Sequence, residues 1–127
     1  MTKDEDSYML IKYLIRVISL SFLFLFISQY SYGLDLTRVY AYPVPFIPSK
    51  HTYITIQIKY SGASFARCTV YDINGDKVKE LAGSNDIIWN GRNDMGNLVS
   101  PGMYIVKIEL EAENGEYKKK IIRILVQ

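Results

Sequence analysis

The sequence predicts an all-β fold, an antiparallel sandwich or small barrel, behind a hydrophobic N-terminal segment. Three observations lead there. Apolar residues beyond Gly33 recur with a period of two rather than that of a helix. Chain-reversing residues of defined turn chemistry separate these runs. No stretch after Gly33 shows a helical face.

The N-terminal segment comes first. From Val17 to Ser28 the chain reads VISLSFLFLFIS, an apolar run without a charge. Lys12 and Arg16 precede it, and Ser31-Tyr32-Gly33 follows with small residues at the −3 and −1 places of a cleavage site after Gly33. A cationic flank, an apolar run and a small-x-small site make residues 1–33 a secretory signal peptide. The apolar run partitions into the membrane while the cations stay on the cytoplasmic side. Asp4-Glu5-Asp6 puts acid where such a leader carries base, and a start at Met9 gives the better leader MLIKYLIR. Translation from Met9 is therefore the expectation. An uncleaved anchor over Met9–Ile27, interrupted by Lys12 and Arg16, and a buried core helix are the alternatives. No Cys sits just after the run, so no lipid attachment is expected.

Residues 34–51 read as an extended, Pro-rich lead-in. Pro43, Pro45 and Pro48 cannot sit in a central strand, so this segment is a cover or an edge, with Phe46 plugging the core. Residues 52–127 read as the sandwich. In Tyr53–Tyr60, Ile54, Ile56, Ile58 and Tyr60 alternate with Tyr53, Thr55, Gln57 and Lys59. Tyr104, Val106, Ile108, Leu110 and Ala112 repeat the pattern, and Phe65–Tyr71, Lys77–Leu81, Ile87–Trp89 and Tyr117–Val126 complete about six or seven strands. Asn114-Gly115 predicts a type I′ hairpin turn, because both central positions need positive φ. Asp72-Ile73-Asn74-Gly75 predicts a second tight turn, and Pro101-Gly102 a type II turn. Asn90–Asn97 is a turn-rich loop after Trp89, the sole Trp, which is expected between the sheets or at one end.

Composition excludes several functions. A formal net charge of +2 leaves no basic stripe for nucleic acid. The single cysteine, Cys68, shares its parity with Ala66 and Val70 and reads as a small buried residue. The only histidine, His51, reads as a solvated residue before a strand, and no nucleophile-elbow motif accompanies it. Asp72, Asp76, Asp86 and Asp94 fall in or beside turns, where Asp bonds its own backbone. Asn90–Asn97 superficially resembles a calcium loop but fails the register, with Arg92 where a ligand is needed and Pro101 at the last position. No catalytic, metal or cofactor site is expected. Lys118-Lys119-Lys120 with Arg123 is the one basic cluster, read first as protection of an edge strand and second as a contact for anionic glycan or lipid.

Pro43-Val44-Pro45-Phe46-Ile47-Pro48, Val70-Tyr71-Asp72-Ile73-Asn74-Gly75, Trp89-Asn90-Gly91-Arg92-Asn93-Asp94-Met95-Gly96-Asn97 and Pro101-Gly102-Met103-Tyr104 follow in that order. From about residue 39 onward this resembles the FlgD Ig-like family, named for a flagellar hook-capping protein, and the related C-terminal sorting domains of type IX secretion cargo. The resemblance implies an immunoglobulin-like antiparallel β-sandwich of about seven strands, non-enzymatic and exported, with its motif residues as fold determinants. Those are Pro45, Phe46, Asp72, Gly75, Trp89, Gly91, Asp94, Gly96, Pro101, Gly102 and Tyr104. The leading expectation is a module for protein or glycan interaction in the envelope or outside the cell. It would touch membrane only through an uncleaved leader. The alternative is an orphan sorting domain recognised by a type IX-like secretion machinery.

Overall fold

The computed structural model divides into two compact units, residues 1–32 and 33–127, and describes residues 3–27 and 33–127. Ser31 and Tyr32 of the expected cleavage site lie outside the described residues, as does Ser28 at the end of the apolar run.

The first unit carries one helix, α1 (Lys3–Ile27). Its Tyr8, Met9, Leu10, Leu14, Ile15, Ile18 and Leu20 are exposed. Among the described residues no helix is long and apolar enough to cross a membrane.

The second unit is an immunoglobulin-like sandwich. Its strands are β1 (Asp35–Tyr42), β2 (Ile54–Ser61), β3 (Ala66–Tyr71), β4 (Lys77–Gly83), β5 (Asp86–Trp89), β6 (Gly102–Glu111) and β7 (Tyr117–Val126). They form a three-stranded sheet in the order β1-β2-β5 and a four-stranded sheet in the order β4-β3-β6-β7. All strand pairs are antiparallel. Relative to the constant-type immunoglobulin arrangement, the fourth strand has left its first sheet and joined the third.

The alternation places the core as the sequence requires. Ile54, Ile56 and Ile58 of β2, Ala66, Cys68 and Val70 of β3, and Val106, Ile108 and Leu110 of β6 are buried between the sheets. Each fully buried Ile or Leu contributes about 1.5–3 kcal/mol relative to exposure. Ile124 and Val126 extend this face along β7.

Of the two forms expected for the lead-in, cover or edge, its first part takes the edge. Asp35–Tyr42 is a full edge strand paired with β2. A register shift between Leu36 and Arg38 places Thr37 in a bulge, which moves the inward positions from Leu34 and Leu36 to Val39 and Ala41. Beyond Pro43 and Pro45 the chain crosses to the other sheet. There the Phe46 N–H donates to the Leu125 carbonyl at 2.8 Å, and the Gln127 N–H donates to the Phe46 carbonyl at 2.9 Å.

The turns also differ from the dipeptide reading. No non-glycine residue among the described ones has positive φ, so Asn114 is not in a type I′ turn. Glu113 and Asn114 are the central pair instead, and the Gly115 N–H donates to the Ala112 carbonyl at 2.9 Å. The Ala112 N–H in turn donates to the Glu116 carbonyl at 2.9 Å. This is a type I turn followed by a left-handed glycine, the usual three-residue hairpin loop. Asp72–Asp76 and Asn93–Asn97 repeat it bond for bond, with left-handed Gly75 and Gly96. In both repeats the first side chain adds two bonds. Asp72 Oδ1 accepts from the N–H groups of Asn74 and Asp76, and Asn93 Oδ1 from those of Met95 and Asn97. Pro101-Gly102 makes no type II turn. Gly102 has φ 155°, far from the +80° such a turn needs, and opens β6 opposite Val126.

Candidate interaction surface

The sequence-predicted motif residues sort into two groups. Phe46, Trp89, Gly91 and Tyr104 come together at one end of the sandwich. The Phe46 ring lies 6.5 Å from the Trp89 ring, and Tyr104 meets Trp89 edge-on at 5.8 Å. The buried polar tips are satisfied, as burial requires. The Trp89 Nε1–H donates to the Arg92 carbonyl at 2.9 Å, and the Tyr104 hydroxyl donates to the Ser100 carbonyl at 2.6 Å. Burial, and to a lesser extent Asp72, raises the Tyr104 phenol above its ordinary range. Gly91 closes the cluster, because a Cβ there would stand 2.7 Å from Phe46 Cε1. The second group serves turns: Asp72 with Gly75, and Asp94 with Gly96, while Pro101 and Gly102 lead into β6. Pro45 is exposed beside the Phe46 plug, and Gly33 is exposed ahead of β1.

Other groups with chemistry have structural partners. His51, expected in solvent, is half-buried; its Nδ1 accepts from the Ile47 N–H at 3.0 Å, and its ring stacks on Phe46. In the calcium-like loop, Arg92 Nη1 donates to the Gly96 carbonyl at 2.9 Å and Asp94 pairs with Lys79 at 3.6 Å. Among the described residues no three His, Cys, Asp or Glu side chains stand together to hold a metal ion. Cys68 is buried, and that burial pushes its thiol up to about 12, which disfavours the reactive thiolate.

Two outer faces remain. On the three-stranded sheet Tyr40 and Tyr42 stack at 5.9 Å, and the Tyr40 hydroxyl is bonded to Gln57. Arg38 lies directly opposite Lys59, and a surface cavity of about 470 Å³ opens between Arg38, Tyr40, Gln57, Lys59, Tyr60 and Asn85. The expectation of an extended cover or edge did not reach this face, because the bulge at Thr37 breaks the alternation that would have marked β1 as a strand. On the four-stranded sheet Glu109 accepts from the Tyr117 hydroxyl at 2.7 Å and pairs with Lys107 at 2.9 Å. The Tyr117 hydrogen bond, then the Lys107 bond, holds the Glu109 carboxyl below the usual range, and the same carboxylate raises the Tyr117 phenol. The basic cluster Lys118–Lys120 with Arg123 lies on β7, at the edge of this sheet.

Residues 40–124, from the middle of β1 to the end of β7, match the family model of the secretion system C-terminal sorting domain. This chain belongs to that family. The sorting domain is also similar to part of a solved structure, that of PorZ of Porphyromonas gingivalis, described as an essential bacterial surface component of the type-IX secretion system. The two are 28% identical with a TM-score of 0.56, over 70% of this chain and 11% of PorZ. The sorting domain therefore corresponds to a small part of that protein's length. CopC from Methylosinus trichosporium OB3b is a weaker structural match, at 13% identity and a TM-score of 0.47, over 75% of this chain and 94% of that one. No curated protein matches.

Proposed function

We propose that residues 34–127 are a folded export address, a sorting domain read by a type IX-like secretion machinery at the outer membrane. The observation that carries this reading is the family match, which spans the sandwich from β1 to β7 rather than one turn or loop. It takes precedence over the interaction module expected first from the sequence. The part-match to a surface component of the type-IX system points the same way. Residues 1–33 then serve as the leader for the first membrane, cleaved after Gly33, with Met9 as the start. Supporting this are the uncharged run from Val17 to Ser28 and the cations ahead of it.

The reading is of a non-enzymatic domain. Its support is that the conspicuous polar residues already have structural work: Asp72 and Asn93 tie turns, Asp94 pairs with Lys79, and His51 caps Ile47.

The test is a fusion of residues 34–127 to the C-terminus of a periplasmic reporter in a host that has the type IX system. Surface display or release of the reporter is expected, and its loss when a secretion component is deleted. Retention of the fusion in the periplasm, with the domain intact by immunoblot, refutes the sorting role. N-terminal sequencing of the exported chain checks the cleavage site; an end other than Leu34 removes that part.

A further inference from the structure

Every sheet ends in strands whose outward N–H and C=O groups lack a ladder partner, and such edges can take up an extended peptide. The four edges of this sandwich are not equivalent. β1 is interrupted by its bulge at Thr37, and β5 is only four residues long. The β4 edge is capped where the Asp94 N–H donates to the Val78 carbonyl at 3.1 Å. β7 is ten residues long and keeps an unbroken register with β6. Among the described residues, the backbone bonds to its outer edge come from Phe46, near the end of the strand.

The Phe46 bonds fix the direction of the remaining groups. They use the Leu125 carbonyl and the Gln127 N–H. Main-chain groups of one strand residue point to one side, and the side alternates along the strand. Tyr117, Lys119, Ile121 and Arg123 therefore turn their N–H and C=O groups away from β6. Their side chains stand on the outer face of the sheet, with Ile121 57% exposed between two cations.

Charge selects the occupant. Lys118 is paired with Asp35 at 3.7 Å, whereas Lys119, Lys120 and Arg123 have no ion pair among the described residues. Of the neighbouring carboxylates, Glu109 is committed to Tyr117 and Lys107 and Glu116 to the Leu34 N–H and Asn114, while Glu111 stands opposite Tyr117 at the far end of the edge from Arg123. Two copies of this edge paired antiparallel about Ile121 would set Lys119 against Arg123, a like-charge pairing that destabilises a ladder. An acidic strand meets the opposite situation. We propose that residues 117–123 of β7 are a docking edge for an extended acidic segment of a partner protein, which adds as a fifth strand beside β7. Its pattern is acid-x-aliphatic-x-acid, the acids facing Lys119 and Arg123 and the aliphatic residue facing Ile121. Lysines that deter self-pairing thereby select the partner.

This goes beyond the sorting role and is tested without a secretion apparatus, so the two can fail separately. The probe is the blocked peptide Thr-Glu-Thr-Ile-Thr-Glu-Thr, titrated into the full chain by calorimetry and by amide hydrogen exchange. Expected are saturable binding and slowed exchange at the Lys119, Ile121 and Arg123 amides. The Lys118 and Lys120 amides, already in the β6 ladder, should not change. N-methylation of the peptide's Ile nitrogen, which this pairing turns toward β7, should abolish binding. The double variant Lys119→Glu with Arg123→Glu, at exposed positions, should weaken the acidic peptide by about tenfold or more and bind the Lys-for-Glu peptide instead. Absence of binding overturns the proposal. So does binding that survives N-methylation or leaves those three amides unprotected, since that would be a general affinity for polyanions.

Discussion

Replacing Gly91 with alanine separates two effects that usually arrive together. Gly91 has φ +74°, and the methyl group of an alanine there would stand 2.7 Å from Phe46 Cε1, well inside van der Waals contact. The ring has little room to retreat. Phe46 is fully buried against Trp89, and its backbone is tied to β7 by two hydrogen bonds. The left-handed conformation should cost an alanine about 1–2 kcal/mol. Overpacking against the ring should add about 1–3 kcal/mol. Gly75 supplies the control: its φ is +86°, and nothing lies within 4 Å of where a Cβ would be. Gly75→Ala should therefore show the conformational cost alone. The difference between the two variants, about 1–3 kcal/mol, measures the ring contact. Each kcal/mol corresponds to roughly 4–8 °C of melting temperature for a domain of this size. Urea unfolding of the full chain, followed by Trp89 fluorescence, should give shifted midpoints at unchanged slopes. Equal midpoints for Gly91→Ala and Gly75→Ala would refute the packing argument and leave Gly91 as an ordinary turn residue.

Two further predictions concern titrating groups. The Cys68 thiol, raised to about 12 by burial, should resist a disulfide reagent at about pH 8 in the folded chain and react at once in urea. Because its folded pKa lies above the unfolded one, its contribution is intact below about pH 8.5. Stability should then decline by up to about 1.4 kcal/mol per pH unit as the pH rises toward the folded value. Cys68→Ala should flatten that part of the urea-midpoint profile, and an unchanged profile would count against it. The third prediction is that Tyr117→Phe removes the largest cause of the lowered Glu109 pKa, so the carboxyl should titrate at a higher pH by carbon NMR. A lowered carboxyl contributes stability above its unfolded pKa and loses it as pH falls through the folded value. The variant should accordingly show less acid sensitivity from this site; an unmoved Glu109 titration would place its partner elsewhere.

The parts of the fold legible in the sequence are those where one sheet face is buried without interruption. β2 and β6 alternate cleanly because each keeps a single register along its buried length, and Cys68 could be placed inward by its parity with Ala66 and Val70. β1 was illegible as a strand for a specific reason. The bulge at Thr37 breaks the period, so the inward residues run Leu34, Leu36, Val39, Ala41. Turn positions were readable but turn types were not. Asn-Gly suggests a two-residue loop only if Asn takes positive φ, and the three-residue alternative satisfies the same sequence with glycine alone in that region. The partner of His51 was beyond sequence reading, since it is formed by a reversal of the chain after Pro45 that brings Ile47 within a hydrogen bond of Nδ1.

The repeated turn shows what structural work the conspicuous motif residues already do. Asp72–Asp76, Asn93–Asn97 and Ala112–Glu116 share one hydrogen-bond pattern, yet the third begins with alanine. There Asn114 compensates, its Oδ1 accepting from the Glu116 N–H at 3.0 Å. A geometry that tolerates a different first residue is held by the backbone and the glycine, with the polar side chains reinforcing it. Residues committed in this way point their polar atoms inward at their own loops and leave few groups for a partner. The exposed groups left uncommitted are side chains that no motif singles out: the stacked Tyr40 and Tyr42 on one sheet, and Lys119, Ile121 and Arg123 on the edge of the other. These positions are exposed and could change without loss of the sandwich.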